Sequence, residues 1–361
     1  MTTRKLAVLA AALIAFAVPA AASASHTEAL SQAAVFTLTN SAAGNGVATF
    51  ARSSDGTLTY AGTVPSGGLG TGANLGSQGA IALVPDGHTL FAVNAGSDSI
   101  SEFAVTNTSV NLVTTFASNG VLPISLTVQG NLLYVLNAGS SSITGFVIDG
   151  ATVTPLAGST QPLLGSNPAQ IAFSPHGSQL VVTEKGTQTL DTYAVDSAGR
   201  AGAPVSSPSA GVTPFGFAFD QRGRAFVSEA GGSASSYTVD DSGAHVISGA
   251  VATNQGAPCW LVVTKNGRYA YTANAAGGSI SGFSIAPDGS LALLDPSGAT
   301  ASLGAGSHPL DEAVSGNSRF LYMLVDGRHT IAGYRIAEDG SLSPLGEVGA
   351  LPVGAVGLAS S

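Results

Sequence analysis

The chain has 361 residues, of which only 9% are charged, and its formal net charge is −9. That balance removes the electrostatic basis for gripping a nucleic-acid backbone or an anionic membrane surface; Arg222–Arg224 and Lys265–Arg268 are the nearest approaches to a basic cluster. With 47 Gly, 17 Pro and 44% hydrophobic residues, wholesale disorder is excluded and an all-β chain with many tight turns is expected.

The first element in chain order is an address label. Arg4 and Lys5 form a short positive end, Leu6–Val18 is a continuous apolar run, and Ala22-Ser23-Ala24 supplies small residues for cleavage before Ser25. The run is too short for a bilayer that needs about 20 apolar residues, so residues 1–24 read as a secretory signal peptide, not an anchor. Residues 25–361 are expected to be one exported domain, secreted or periplasmic, free of the membrane after cleavage. Cys259 is the only cysteine, so no intrachain disulfide can form.

From there one block recurs: an apolar strand, a polar residue, a Gly-containing turn, and a second strand carrying an aromatic. A looser first copy runs from Val35 through Asn40 to Phe50. Then come Leu90–Phe103 around Asn94, Leu133–Phe146 around Asn137, Leu180–Tyr193 around Glu184 and Ala225–Tyr237 around Glu229. Tyr271–Phe283 around Asn274 and Leu321–Tyr334 around Val325 complete the set of seven, at a mean period of 47.5 residues. A unit of that length, made of alternating strands, fits a four-stranded propeller blade. The innermost strand, A, precedes turns such as Pro85-Asp86-Gly87, Pro175-His176-Gly177, Gln221-Arg222-Gly223 and Lys265-Asn266-Gly267. Strand B is the apolar run, C carries the aromatic, and D follows turns such as Pro287-Asp288-Gly289.

The two ends are complementary. The mature chain opens on a strand B with no strand A before it, and Leu351–Leu358 resembles the start of other A strands (Asn167-Pro168, Thr213-Pro214, Ala257-Pro258, His308-Pro309). The last strand is therefore expected to complete the first blade. The fold class read from the sequence is an all-β, seven-bladed propeller closed by its C-terminal strand, with no exposed sheet edge at the seam.

At Phe173–Gly177 with Leu180–Tyr193, and at Gly256–Thr264 with Gly267–Tyr271, the chain resembles the lactonase family of seven-bladed propellers, which includes a bacterial 6-phosphogluconolactonase and a fungal carboxymuconate cyclase. The resemblance extends from about Ala33 to Leu358. It implies a lactone hydrolase or a muconate-cyclase-like enzyme, with His and Arg at the channel mouth to meet an anionic substrate. This chain departs from that pattern: its A strands offer Gln170, Gly216, Trp260 and Asp311 there, so sugar phosphates are not expected as substrates.

In a propeller the D–A and B–C loops share one face and surround the channel mouth, where ligands are expected. Glu184 and Glu229 occupy equivalent positions in neighbouring blades and suit a general acid/base pair or a Ca²⁺ site; a solvated rim, with Glu184 paired to Lys185, is the plainer reading. His308, Asp311 and Glu312, with His329 nearby, form the one concentration of His and carboxylate, the usual makings of a general base. Trp260, Gln170, Lys185, Arg328 and His329 are the expected ligand contacts. The Asn residues before Ala-Gly are expected to start turns, and Cys259 reads as a small buried hydrophobe. No resident cofactor is expected beyond that Ca²⁺ alternative. The functional expectation is an exported monomer acting on a small lactone or carboxylate at the mouth; a non-catalytic ligand- or protein-binding propeller and a Ca²⁺-dependent lactonase are the alternatives.

Overall fold

The computed structural model describes residues 33–106, 109–349 and 351–361. The signal-peptide reading of residues 1–24 lies outside the described residues.

Seven antiparallel sheets follow one another around an axis. Blade 2 shows the plan: strands Ile81–Leu83 (A), Thr89–Asn94 (B), Ser99–Val105 (C) and Val110–Ala117 (D). Blades 3 and 6 divide strand D into two short pieces, both paired to strand C. The A–B hairpins close as read from the sequence. The amides of Gly87, Gly177, Gly223 and Gly267 bond back to the carbonyl three residues earlier, and all four glycines take φ of 66–79°, a region costly for any side chain. Blade 3 does it differently: Pro123–Gln129 turns into Leu132–Asn137 over Gly130 and Asn131, without the Pro-x-Gly signature.

The ring closes on its own tail. Val356–Ser360 is strand A of blade 1 and pairs with Ala34–Leu38, matching Phe36 to Ala359 and Thr37 to Leu358. The Ala34 amide donates to Ser361 Oγ at 2.8 Å, and Arg52 reaches the Ser361 carbonyl at 3.0 Å.

Strand B is almost wholly buried in every blade, because both its faces are covered by neighbouring blades. The core is therefore a series of interfaces between blades. Val181 and Leu190 of blade 4 pack with Phe217, Val227 and Tyr237 of blade 5, and Phe226 of blade 5 packs with Leu261, Ala270 and Phe283 of blade 6. A recurrent tyrosine, three residues before the end of strand B, pins each interface it serves. Tyr134, Tyr271 and Tyr322 donate to the carbonyls of Gly199, Gly340 and Gly56, in C–D turns of the next blade, at 2.7–2.8 Å.

Candidate active site

The residue that ends strand B is the starting point. In blades 2 and 6 it is Asn94 or Asn274, each fully buried. Their side chains do more than start turns: Asn94 donates to Ser101 and Asn274 to Ser281, both on strand C of the same blade, at 2.8 and 2.9 Å. The local turn is made by the backbone, with the Ser97 amide on the Asn94 carbonyl. These asparagines thus stitch B to C inside a blade.

In blade 4 the same two positions hold Glu184 and Asp191. Glu184 is fully buried with neither carboxyl oxygen hydrogen-bonded, and Asp191 accepts the Leu164 amide at 2.7 Å. Burial, then the adjacent Asp191 carboxylate, push the Glu184 pKa up to about 8. In blade 5 Glu229 accepts Ser233 Oγ at 2.6 Å, and burial raises its pKa too. The D–A loops close directly over both carboxyls: a Cβ added at Gly165 or Gly211 would stand 2.6 or 2.5 Å from Glu184 Oε2 or Glu229 Oε2. The two glutamates are equivalent in the repeat, as expected, but each is sealed inside its own blade and neither opens on the mouth. The expected Glu184–Lys185 rim pair is not formed either. The Lys185 ammonium bonds the Gly76 carbonyl and lies 4.6 Å from the Phe215 ring centroid. Among the described residues no three His, Cys, Asp or Glu side chains come together.

The mouth itself is occupied by the chain. The glycine-rich D–A loop leading into blade 2 reaches over the axis. Gln78 brackets the backbone of Leu261 in blade 6, with Nε2 on its carbonyl at 2.8 Å and Oε1 under its amide at 2.9 Å. Trp260 Nε1 donates to the Ser77 carbonyl at 2.9 Å, and Ser77 Oγ donates to Ile124 of blade 3 at 2.8 Å. Gln170 makes the same two-bond bracket on Phe217. Trp260, Gln170 and Lys185, expected to touch ligand, instead hold this plug or the adjoining strands. Cys259, beside them, is buried and free as expected.

Blade 7 separates its histidines from its carboxylates. His308 is exposed, while Asp311 is buried and accepts the Gly357 amide of the closing strand at 2.9 Å. Burial brings the Asp311 pKa up to about 7. His329 sits in the left-handed region, φ 55°, with a buried, unpartnered Nδ1. Arg328 is committed to Glu347 through two hydrogen bonds of 3.0 and 2.5 Å and to the Leu303 carbonyl at 2.9 Å. Adjacency in sequence does not bring the imidazoles to the carboxylates: His308 lies in the exposed D–A loop and His329 in the B–C turn, while Asp311 and Glu312 sit on the buried strand A itself.

Glu312 is the exception. It lines an axial cavity of about 380 Å³ formed by the lower ends of the A strands, with Leu83, Pro175, Gln221, Lys265 and Leu358 among its other walls. This cavity belongs to the A–B turn face, opposite the plugged mouth. Glu312 is 4% exposed and both its carboxyl oxygens lack a hydrogen-bond partner. Burial raises its pKa well above the ordinary carboxyl range, against a smaller opposing effect of the Ala273 amide. Lys265, at the exposed rim of the same cavity, has its pKa lowered by desolvation. Sequence reasoning placed Glu312 at the mouth and passed over Lys265. The available signal was that the A–B turns, not the D–A loops, carry Arg222, Lys265 and Arg268.

A propeller of seven four-stranded blades, with a loop across its mouth and an axial cavity on the opposite face, is the class this geometry defines. The family model "Lactonase, 7-bladed beta-propeller" matches residues 43–157 and 217–355, and the chain belongs to that family. Among solved structures, it is similar to a candidate 6-phosphogluconolactonase from Bacteroides uniformis, with TM-score 0.73 and 17% identity over 90% of this chain and 98% of that one. It is also similar to a protein from Lactobacillus plantarum, with TM-score 0.73 and 18% identity over 91% and 99%. The periplasmic gluconolactonase of Pseudomonas aeruginosa aligns with TM-score 0.66 and 16% identity over 89% and 98%. No curated protein matches the sequence.

Proposed function

We propose that this protein is an exported lactonase that opens a small lactone ring in the axial cavity, with Glu312 as the catalytic acid. Family membership supports lactonase-like chemistry. The observation that carries the site is the axial cavity, whose lining residues include Glu312, 4% exposed with both carboxyl oxygens buried and unpartnered. A carboxyl whose pKa is raised by burial holds its proton to higher pH than an ordinary one and can deliver it. In the proposed step, water adds to the lactone carbonyl and the ring C–O bond breaks. Glu312 gives its proton to the departing ring oxygen and recovers one from the attacking water. The Lys265 ammonium at the rim faces the carboxylate product. The basic start, apolar run and small-residue end of residues 1–24 support export.

The test is lactone hydrolysis by wild type and by Glu312→Gln, which keeps the shape but cannot give up a proton. We expect the variant to fall by about 10²-fold or more in kcat, the usual worth of a positioned proton donor, with its melting temperature unchanged or raised. Glu184→Gln, buried inside blade 4, should keep full activity. Undiminished hydrolysis by Glu312→Gln would overturn the assignment.

A further inference from the structure

The face that the plug crosses is unlike the rest of the surface. Half of the exposed large apolar side chains among the described residues stand on it: Val353, Leu69, Val121, Leu164 and Val212, each 42–69% exposed. They occur one apiece on the D–A loops that lead into five successive blades, 1 to 5. The others, such as Val246, lie on D strands around the outside. Apolar residues exposed singly need no explanation, but a set gathered on one face marks an interaction surface.

These side chains are held out on fixed loops. The Leu69 carbonyl accepts the Gly96 amide at 2.9 Å, and the Leu69 amide donates to Ser97 Oγ at 2.9 Å. Val121 makes the same pair of bonds with Gly139 and Ser140, at 2.8 and 3.1 Å. The Val212 carbonyl accepts the Gly231 amide at 2.9 Å, and the Leu164 amide is tied to Asp191 at 2.7 Å. Little conformational freedom remains to be lost when such a surface is covered.

The same face is nearly free of charge. The D–A loops leading into blades 1–5 and the B–C turns of those blades contain two charged residues, Asp98 and Lys185. Both are bonded to neighbouring backbone, at Leu122 and Gly76. The turns of the opposite face carry Asp55, Asp86, Asp196, Asp241, Asp288 and Asp339. A chain of net charge −9 that met its copy through those turns would oppose aspartate to aspartate. Mouth to mouth, two copies set apolar residues against apolar residues with almost no like charge between them. A stable twofold contact needs about 800 Å² from each partner, about one-twentieth of the chain's 15102 Å² surface and less than either end of a ring offers.

We propose that the protein forms a homodimer in which two copies meet mouth to mouth over the apolar loops of blades 1–5, in place of the monomer expected from the sequence. The two axial cavities, on the A–B faces, then open outward at opposite ends of the dimer.

Sedimentation of the purified protein between about 1 and 100 µM is the test. Wild type should pass to twice the monomer mass as its concentration rises. It should do so equally at about 0.5 M salt, because no ion pair carries the contact. Val121→Asp and Val212→Asp each put a carboxylate into the interface and should raise the dissociation constant at least about tenfold. Val246→Asp, at a similarly exposed site on strand D of blade 5, should dimerise like wild type. Unchanged melting temperatures report that the variants fold. A wild type still monomeric at about 100 µM overturns the proposal. So does a dimer that survives both mouth variants, or one that Val246→Asp or salt dissolves.

Discussion

At the scale of single residues, the buried carboxyls set the response to pH. Folded Glu184 keeps its proton to about pH 8, whereas in the unfolded chain it ionises near 4.5. Its contribution to stability is therefore full below about pH 4.5 and is lost as pH rises towards 8, on the order of 5 kcal/mol in all. Asp311, held at about 7, and Glu229 and Glu312, both raised, add in the same direction. The protein should melt at a higher temperature at pH 5 than at pH 8.5. Glu184→Gln, which supplies an amide where blades 2 and 6 already have one, should flatten part of that slope. Melting curves across pH 4.5–9 for both proteins check this; parallel curves would refute it. Cys259 takes no part, because burial pushes its thiol up to about 12.

At the scale of elements, the blades are held together by contacts the repeat reuses. Tyr322 of strand B donates to the Gly56 carbonyl of the next blade at 2.8 Å, and both groups are cut off from water there. Tyr322→Phe should cost about 1–2 kcal/mol, since a buried carbonyl is left without a donor. Gly340→Ala should cost more: φ is 85°, and the new methyl would stand 2.7 Å from the Tyr269 ring. Thermal denaturation of the two variants checks the order. The plug is the other such element. Gln78→Ala removes both bonds to Leu261, so amide hydrogen exchange in Gly76–Gly79 should speed up while exchange in the strand B amides stays slow.

At the scale of the whole molecule, ring closure is decisive. Removing Leu351–Ser361 exposes the inner edge of Ala34–Leu38 and strips one wall from the axial cavity. It also leaves the Asp311 carboxyl without the Gly357 amide. The truncated chain should fail to unfold in a single cooperative transition near the full-length temperature; if it does so, closure is not what holds the ring. The plug crosses one end of the axis and the closing strand lines the cavity at the other, which is why the proposed chemistry is placed on the A–B face.

Much of the fold was legible in the sequence because a repeat announces itself. The seven B strands, the Pro-x-Gly and Lys-Asn-Gly turns and a C-terminal closing strand, expected at Leu351–Leu358 and found at Val356–Ser360, all follow from local rules of turn geometry and apolar patterning. The site was legible only in part. The sequence reads Glu312 as a mouth residue beside His308, whereas the structure puts it among the residues lining the axial cavity on the opposite face. Nothing local says that Gly76–Gly79 crosses the axis to Trp260 and Leu261, 183 residues away for Gln78 and Leu261. Nor does anything local say that Gly165 and Gly211 lie over Glu184 and Glu229. Strand and turn formation depend on neighbours along the chain. Which carboxyl is buried, which is paired and which faces open space depends on how seven blades meet around an axis, and only the tertiary structure decides that.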